Sequence, residues 1–382
     1  MTYSNDDRSS DGNFSGGTGT SINPYIIETA DDLHNIRNYP NDYYEIIKDI
    51  DLDVAPYNEG KGWNPFAFNG HLNGNGCEIR NLYIRDRTGN IGLFSELDSN
   101  SSVKNLGIVN IDIDVNTNQV GGLVGQTNRV PSVYIDNCYT KGKIKGNDRV
   151  GGIQGYHYNY SSYSNDPQIT NCYSTCHIVG EDNVGGIVGQ SSGRFSSRNL
   201  HINNCYFAGF IENNSNSGGI IDSTGRSGRI NNCFFDKDIS DQYDCNGNST
   251  ALTTEEMHNP ENFKEADWDE DIWIFEEYKY PRLWFEDINI DVELLPVTDI
   301  RYTSMTLNGR VLRLNEHPKV EVFFRYTDDP NGLDNGNYIE TKRETIYNPG
   351  ETFSYEVTGI NPGTTYFVEA HCISKDNHIK RR

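Results

Sequence analysis

The sequence predicts an all-β chain built around a right-handed parallel β-helix, or β-solenoid, and three observations carry that expectation. The first is a glycine-centred segment that returns in phase. Val120-Gly121-Gly122-Leu123-Val124-Gly125 recurs as Val150-Gly151-Gly152-Ile153-Gln154-Gly155 and as Val184-Gly185-Gly186-Ile187-Val188-Gly189, then fades to Ser217-Gly218-Gly219-Ile220-Ile221-Asp222. The leading glycines stand 30, 34 and 33 residues apart, with a weaker copy, Ile91-Gly92-Leu93-Phe94, one period earlier. The second is Asn137-Cys138-Tyr139, repeated as Asn171-Cys172-Tyr173, Asn204-Cys205-Tyr206 and Asn232-Cys233-Phe234, each with an isoleucine two residues before the Asn. The third is composition: 37 Gly, 3 Met and 12% aromatic residues suit strands and tight turns better than helices. Apolar residues within a repeat alternate with period 2, so the units are strands. A short strand cannot bury its face alone, and stacking successive turns about 4.8 Å apart puts each strand beside its equivalent. Six or so turns make a rod on the order of 30 Å long.

Each element follows in chain order. Residues 1–20 are a polar leader read as an assembly arm that docks on a neighbouring subunit. Residues 21–285 form the solenoid with its caps. Thr29-Ala30-Asp31-Asp32 is a helix start, Thr29 capping and a carboxylate standing three residues on, with Leu33 and Ile36 as the apolar stripe over the first rung. Asn137, Asn171, Asn204 and Asn232 are expected at corners, bonding to their copies one turn away, while the glycine pairs permit the sharp bend. Thr254-Glu255-Glu256-Met257 starts another short helix, and Trp268, Trp273, Trp284 and Phe285 are expected to cover the last rung. Residues 286–296 read as an acidic linker ending at Pro296. Residues 297–382 carry four alternating strands beginning at Ser304, Val320, Thr352 and Thr365.

These motifs resemble those of bacterial, archaeal and viral proteins carrying the GLUG motif, here Gly122-Leu123-Val124-Gly125 and its copies. The opening Gly16-Gly17-Thr18-Gly19-Thr20, the run Gly62-Trp63-Asn64-Pro65 and the exit Tyr280-Pro281-Arg282-Leu283 extend the likeness over roughly residues 16–285. Beyond it, Gly359-Ile360-Asn361-Pro362-Gly363-Thr364-Thr365-Tyr366 resembles the tyrosine corner of fibronectin type III-like sandwiches. That resemblance implies a last strand after Ala370. Either it is absent, or the short tail supplies it, or a partner does.

The chemistry points away from catalysis. A net charge of −23 argues against nucleic acid or an anionic membrane face as the main partner. No apolar run reaches the roughly 18–20 residues that span a bilayer, and no secretory signal is visible at Met1–Arg8. Cys138, Cys172, Cys205 and Cys233 share one repeat position, so they are expected to stack as a core ladder rather than pair. Cys172 and Cys176 lack the second pair that zinc needs. Asp49-Ile50-Asp51-Leu52-Asp53 and Asp112-Ile113-Asp114 read as strands with one wet face rather than calcium loops, since Val54 and Gly60 stand where an EF-hand has Gly and Glu. No metal or cofactor is expected. Neither His-Glu-x-x-His, Gly-x-Ser-x-Gly nor a phosphate loop is present, and Asp267, Asp269, Glu270 and Asp271 read as an acidic capping loop. Tyr156, His157, Tyr158, Tyr160 and Tyr163 are the candidate binding residues, expected as exposed aromatics on an inserted loop between two rungs.

The expectation is therefore a non-enzymatic structural or attachment protein of an exterior surface, assembled with neighbouring subunits and binding a host protein or glycan. A virion component, such as a phage appendage or head decoration, comes first, because virion proteins need no export signal and keep cysteines reduced before lysis. A secreted or cell-surface adhesin is the alternative, and a polysaccharide-cleaving β-helix enzyme the third.

Overall fold

The computed structural model describes residues 14–98, 100–128, 133–159, 168–193, 200–213, 215–223, 229–243, 248–287, 290–313, 319–348, 350–373 and 378–381. Half the chain is strand, and residues 1–285 and 286–382 form two compact units.

The first unit is a β-solenoid of about 5 turns. Its parallel register lines up one inward column of eight residues: Tyr25, Tyr44, Leu72, Val103, Ile135, Ile169, Ile202 and Ile230. Ile84, Ile113, Ile144, Ile178 and Ile211 make a second column. Val120, Val150 and Val184 make a third, which opens only with the isolated bridge from Ile91. Leu123, Ile153 and Ile187 are fully buried.

The corners refine two expectations. Asn137, Asn171, Asn204 and Asn232 all have φ near +50°, a conformation in which Asn is enriched several-fold. Their side chains do not form one continuous ladder. Asn137 donates to Asn105 (2.9 Å) and Asn105 to Asn73 (3.0 Å), but Asn171 turns to Asp136 (3.2 Å). The glycine pairs do not make the bend. Gln119, Arg149 and Asn183 (φ +65°, +58° and +52°), just before each valine, take the left-handed corner. The second glycine of each pair is required by close approach. A Cβ on Gly152 would lie 2.3 Å from the Gly186 carbonyl oxygen and from Ser174 Oγ, and one on Gly186 would lie 2.2 Å from the ring of Phe207.

Cys138, Cys172, Cys205 and Cys233 sit inside the same turn-to-turn alignment, all buried and unbridged. The Cys138 N–H donates to Cys172 Sγ and the Cys172 N–H to Cys205 Sγ, both at 3.4 Å. Each thiol in turn donates to the carbonyl two residues earlier, at 3.1–3.2 Å, across the left-handed Asn.

At the entrance Thr29 makes a full capping box with Asp32 on the helix Ala30–Asn35, and Leu33 and Ile36 are buried in the solenoid core. Part of the leader belongs to that entrance. Phe14 is buried, stacks on Tyr25 at 4.3 Å and is followed by a bridge from Gly16 to Ile26, so residues 14–20 close the first rung instead of forming a free arm. Residues 1–13 lie outside the described residues.

At the exit Thr253 caps the helix Thr254–Met257. Trp268, Trp273 and Phe285 do not lie over the last rung alone. They pack along the side of the rod against the outward rings Tyr139, Tyr173 and Tyr206, which stack at 5.0 and 4.7 Å. Tyr206 donates its hydroxyl to the Pro281 carbonyl at 2.8 Å, which fastens the returning segment.

The second unit holds two antiparallel sheets. Asp291–Thr298, Ser304–Arg313 and Thr352–Thr358 form one, and Val320–Thr327, Phe367–Ile373 and His378–Arg381 belong to the other. Val292, Leu307 and Phe353 from the first meet Val322, Phe324 and Ala370 from the second in one core. Of the three alternatives for the final strand, the tail supplies it: Cys372 pairs with Ile379. Tyr366 Oη accepts the Asn361 N–H at 3.0 Å.

Candidate functional site

Outward residues of the first sheet also form rows along the rod, and these rows are the candidate site. Register aligns Tyr43, His71, Ser102, Tyr134 and Gln168 on successive rungs. Beside them run Glu45, Asn73, Lys104, Asp136 and Thr170. Two clefts of about 270 and 420 Å³ lie on these rows and share Ser102 and Lys104. Strand alternation produces them directly, because inward Leu72, Val103 and Ile135 fix their neighbours outward.

Ring stacking and charge shape the clefts. Tyr43 stacks on His71 at 4.4 Å with 25° between planes, and His71 Nδ1 lies 2.8 Å from Ser102 Oγ. Tyr43 and Tyr134 are 36% and 38% exposed, enough to offer ring surface to a ligand. Burial, aided by the Lys104 charge, lowers the His71 pKa, which keeps the imidazole neutral at pH 7. Burial raises the Asp136 carboxyl, against the hydrogen bond from Asn171 and the charge of Lys104.

The aromatic cluster predicted from sequence is arranged differently. Tyr156, His157 and Tyr158 belong to the strand Gln154–Asn159, which pairs with Val124–Asn128 on one side and Val188–Gly193 on the other. Pairing on both edges continues the rung where the sequence suggests a loop, and alternation then sends His157 inward. Tyr156 is half-buried, bonded to Ser192 Oγ at 2.6 Å and covered by Arg149 at 4.7 Å. Tyr158 stacks on Tyr156 at 6.0 Å, while Tyr160 and Tyr163 lie outside the described residues.

His157 marks a polar break in the apolar interior. Its column runs Phe68, Leu97, Thr127, His157, Ser191, changing from apolar to polar at Thr127. His157 Nδ1 is 2.7 Å from Thr127 Oγ1, and buried Gln154 donates to the same hydroxyl at 2.8 Å. Among the described residues, His157 Nε2 and Ser191 Oγ are buried without a hydrogen-bond partner.

Two of the four carboxylates considered for catalysis have local partners. Asp269 accepts the Asp271 N–H at 2.9 Å, and Glu270 pairs with Lys264 at 3.3 Å. Asp49 pairs with Arg80 at 2.8 Å and Asp114 with Lys145 at 3.0 Å, on the wet side of strands whose Ile50 and Ile113 are buried. No helix among the described residues is long and apolar enough to cross a membrane.

Sequence reasoning missed the rows around Ser102. The signal was present in the outward positions three before and one before each corner Asn, where Tyr134, Asp136, Gln168 and Thr170 stand.

No family model matches the chain. A Gly-rich membrane protein of Evansella cellulosilytica is 40% identical over 122 residues, covering 29% of this chain and 14% of its own length. Halomucin of Haloquadratum walsbyi is 36% identical over 155 residues, covering 36% of this chain and 2% of its own length. The chain thus spans a small part of either relative. Among solved structures, the sensor domain of the anti-sigma factor RsgI4 of Pseudobacteroides cellulosolvens has a TM-score of 0.20 at 15% identity, over 23% of this chain and 82% of that one.

Proposed function

We propose that this chain is a non-enzymatic attachment or presentation protein of an exterior surface. In this reading a rigid solenoid of the GLUG-repeat kind carries an outward binding strip, and a fibronectin type III-like unit follows it. The division of labour within each rung carries the reading. Inward columns pack the core, whereas rings, amides, hydroxyls and the Lys104–Asp136 pair line the outward clefts. The glycine columns support the repeat kind, and the Tyr366–Asn361 bond supports the sandwich.

A glycan-cleaving enzyme needs two carboxyl groups about 5–9.5 Å apart. Asp136 is the carboxylate lining the larger cleft, and Glu45 stands three rungs, or about 14 Å, away. That spacing favours binding over cleavage. Relatives named as a membrane protein and as a halomucin favour a cell surface over a virion.

Antibodies to the chain should label intact source cells, and protease added outside should release it. Recovery only from the cell interior would overturn the surface reading. Release of new reducing ends from candidate polysaccharides would replace it with the enzymatic one.

A further inference from the structure

The outward ring ladder has a missing step. Tyr43 and His71 stack on neighbouring rungs, and Tyr134 stands two rungs beyond His71, but the rung between carries only Ser102. Stacking on Tyr43 uses one face of the His71 imidazole, and the Nδ1 edge meets the Ser102 hydroxyl at 2.8 Å. Two rungs separate His71 from Tyr134 by roughly 9–10 Å. A ring held in van der Waals contact on both sides needs about 7–8 Å, at 3.5–4.0 Å per contact. The slot therefore accepts one ring and no more, and it lies where the two clefts join.

The rim selects the chemistry of that ring. Lys104 supplies up to three donors, the Asp136 carboxylate accepts, and the Ser102 hydroxyl does either. Donors and acceptors side by side match adjacent hydroxyls. The Lys104 charge is balanced by Asp136, with which it interacts electrostatically. An anionic ring would meet that carboxylate on a chain of net charge −23. The clefts run on toward Asn73 on one side and Thr170 on the other, so a ring in the slot can belong to a longer chain. Beyond the rings, Asn73, Lys104, Asp136 and Thr170 rim the slot with donors and acceptors that suit a glycan's hydroxyls.

We propose that the slot over Ser102 takes one uncharged pyranose ring of a glycan, held between His71 and Tyr134 and hydrogen-bonded by Lys104 and Asp136. The inference rests on the binding reading above and gives it a ligand class.

The test is calorimetric titration of the full chain with hexamers of β-1,4-glucose, α-1,4-glucose, β-1,4-mannose and β-1,4-N-acetylglucosamine, and with a hexauronate as the charged comparator. At least one neutral hexamer binds, and the hexauronate binds more weakly. Ser102→Tyr fills the missing step, keeps or raises the melting temperature, and abolishes binding. Tyr134→Ala weakens binding about tenfold, and Tyr302→Ala, an exposed ring in the other unit, changes nothing. Undiminished binding by folded Ser102→Tyr, equal or tighter binding of the hexauronate, or failure of every neutral hexamer overturns the proposal. Ser102→Tyr-sensitive binding of an aromatic-capped peptide with no oligosaccharide binding assigns the slot to a protein partner instead. Loss of glycan binding leaves the surface-labelling result untouched, so the two readings fail separately.

Discussion

Tyr139 donates its phenolic hydroxyl to Glu78 Oε1 at 2.6 Å across two rungs of the solenoid. The rung between them carries Gly107, and a Cβ there would lie 2.4 Å from Tyr139 Cζ. The glycine thus provides the space in which the tyrosine leans along the rod. Gly107→Ala should displace the ring and cost about 1–3 kcal/mol, read by chemical denaturation.

Glu78 gives that contact a pH dependence. Burial alone would raise its pKa, but the hydrogen bonds from Tyr139 and Arg80 outweigh burial and hold the carboxyl below its ordinary 4.5. A depressed folded-state pKa contributes stability above the unfolded value that is lost as pH falls through the folded one. Glu78→Gln should therefore cost about 1 kcal/mol at pH 7, and the gap to the parent should close below pH 4.5. A constant gap from pH 7 to pH 3 would remove Glu78 from the acid response.

The cysteine column should be chemically silent until the solenoid opens. Burial pushes the thiols of Cys138, Cys172 and Cys205 far above their ordinary pKa, and all three are fully enclosed. A thiol reacts as its thiolate, which is scarce here and out of reach. Alkylation of the native chain at pH 8 followed by peptide mapping should leave these three unmodified, and denaturant should expose them together. Rapid native labelling of Cys172 would show that the column breathes.

Much of this fold is legible in the chain, because turn-to-turn equivalence imposes like residues at like positions. The Ile, Val and Cys columns repeat visibly for that reason, and Thr29 marks its helix through local capping chemistry. Other features are long-range and leave no local pattern. Why Gly152 and Gly186 lack side chains depends on Ser174 and Phe207 across the interior. The left-handed bend at Gln119 and Arg149 has no typical residue type to announce it. His157 reads as an exposed loop residue until pairing on both edges of its strand shows that it points inward. The Ser102 slot appears only when register places His71 and Tyr134 two rungs apart.

Gly152 should be among the least replaceable residues of the chain. An alanine Cβ there would lie 2.3 Å from both the Gly186 carbonyl and Ser174 Oγ, one backbone and one a short side chain. Neither can move without shifting a rung, so Gly152→Ala should cost about 3 kcal/mol. Gly152→Ala combined with Ser174→Ala should recover only part of that loss, because the carbonyl contact remains. Full recovery in a denaturation series would place the whole cost on the side-chain contact.

His157 should make the solenoid acid-sensitive over a defined window. Burial lowers its pKa from 6.5 to about 4, and among the described residues Nε2 has no partner to stabilise a proton. The unfolded chain binds that proton below about pH 6.5 while the folded chain does not, so stability falls with pH between 6.5 and 4 and levels off below. The full effect is on the order of 3 kcal/mol. His157→Leu restores the residue type that Leu97 provides two rungs earlier in the same column and removes the titrating group. Denaturation midpoints of the two proteins should diverge steadily from pH 6.5 down to pH 4, with the leucine variant the more stable. Parallel curves over that range would mean that the buried imidazole takes up its proton without opening the rod.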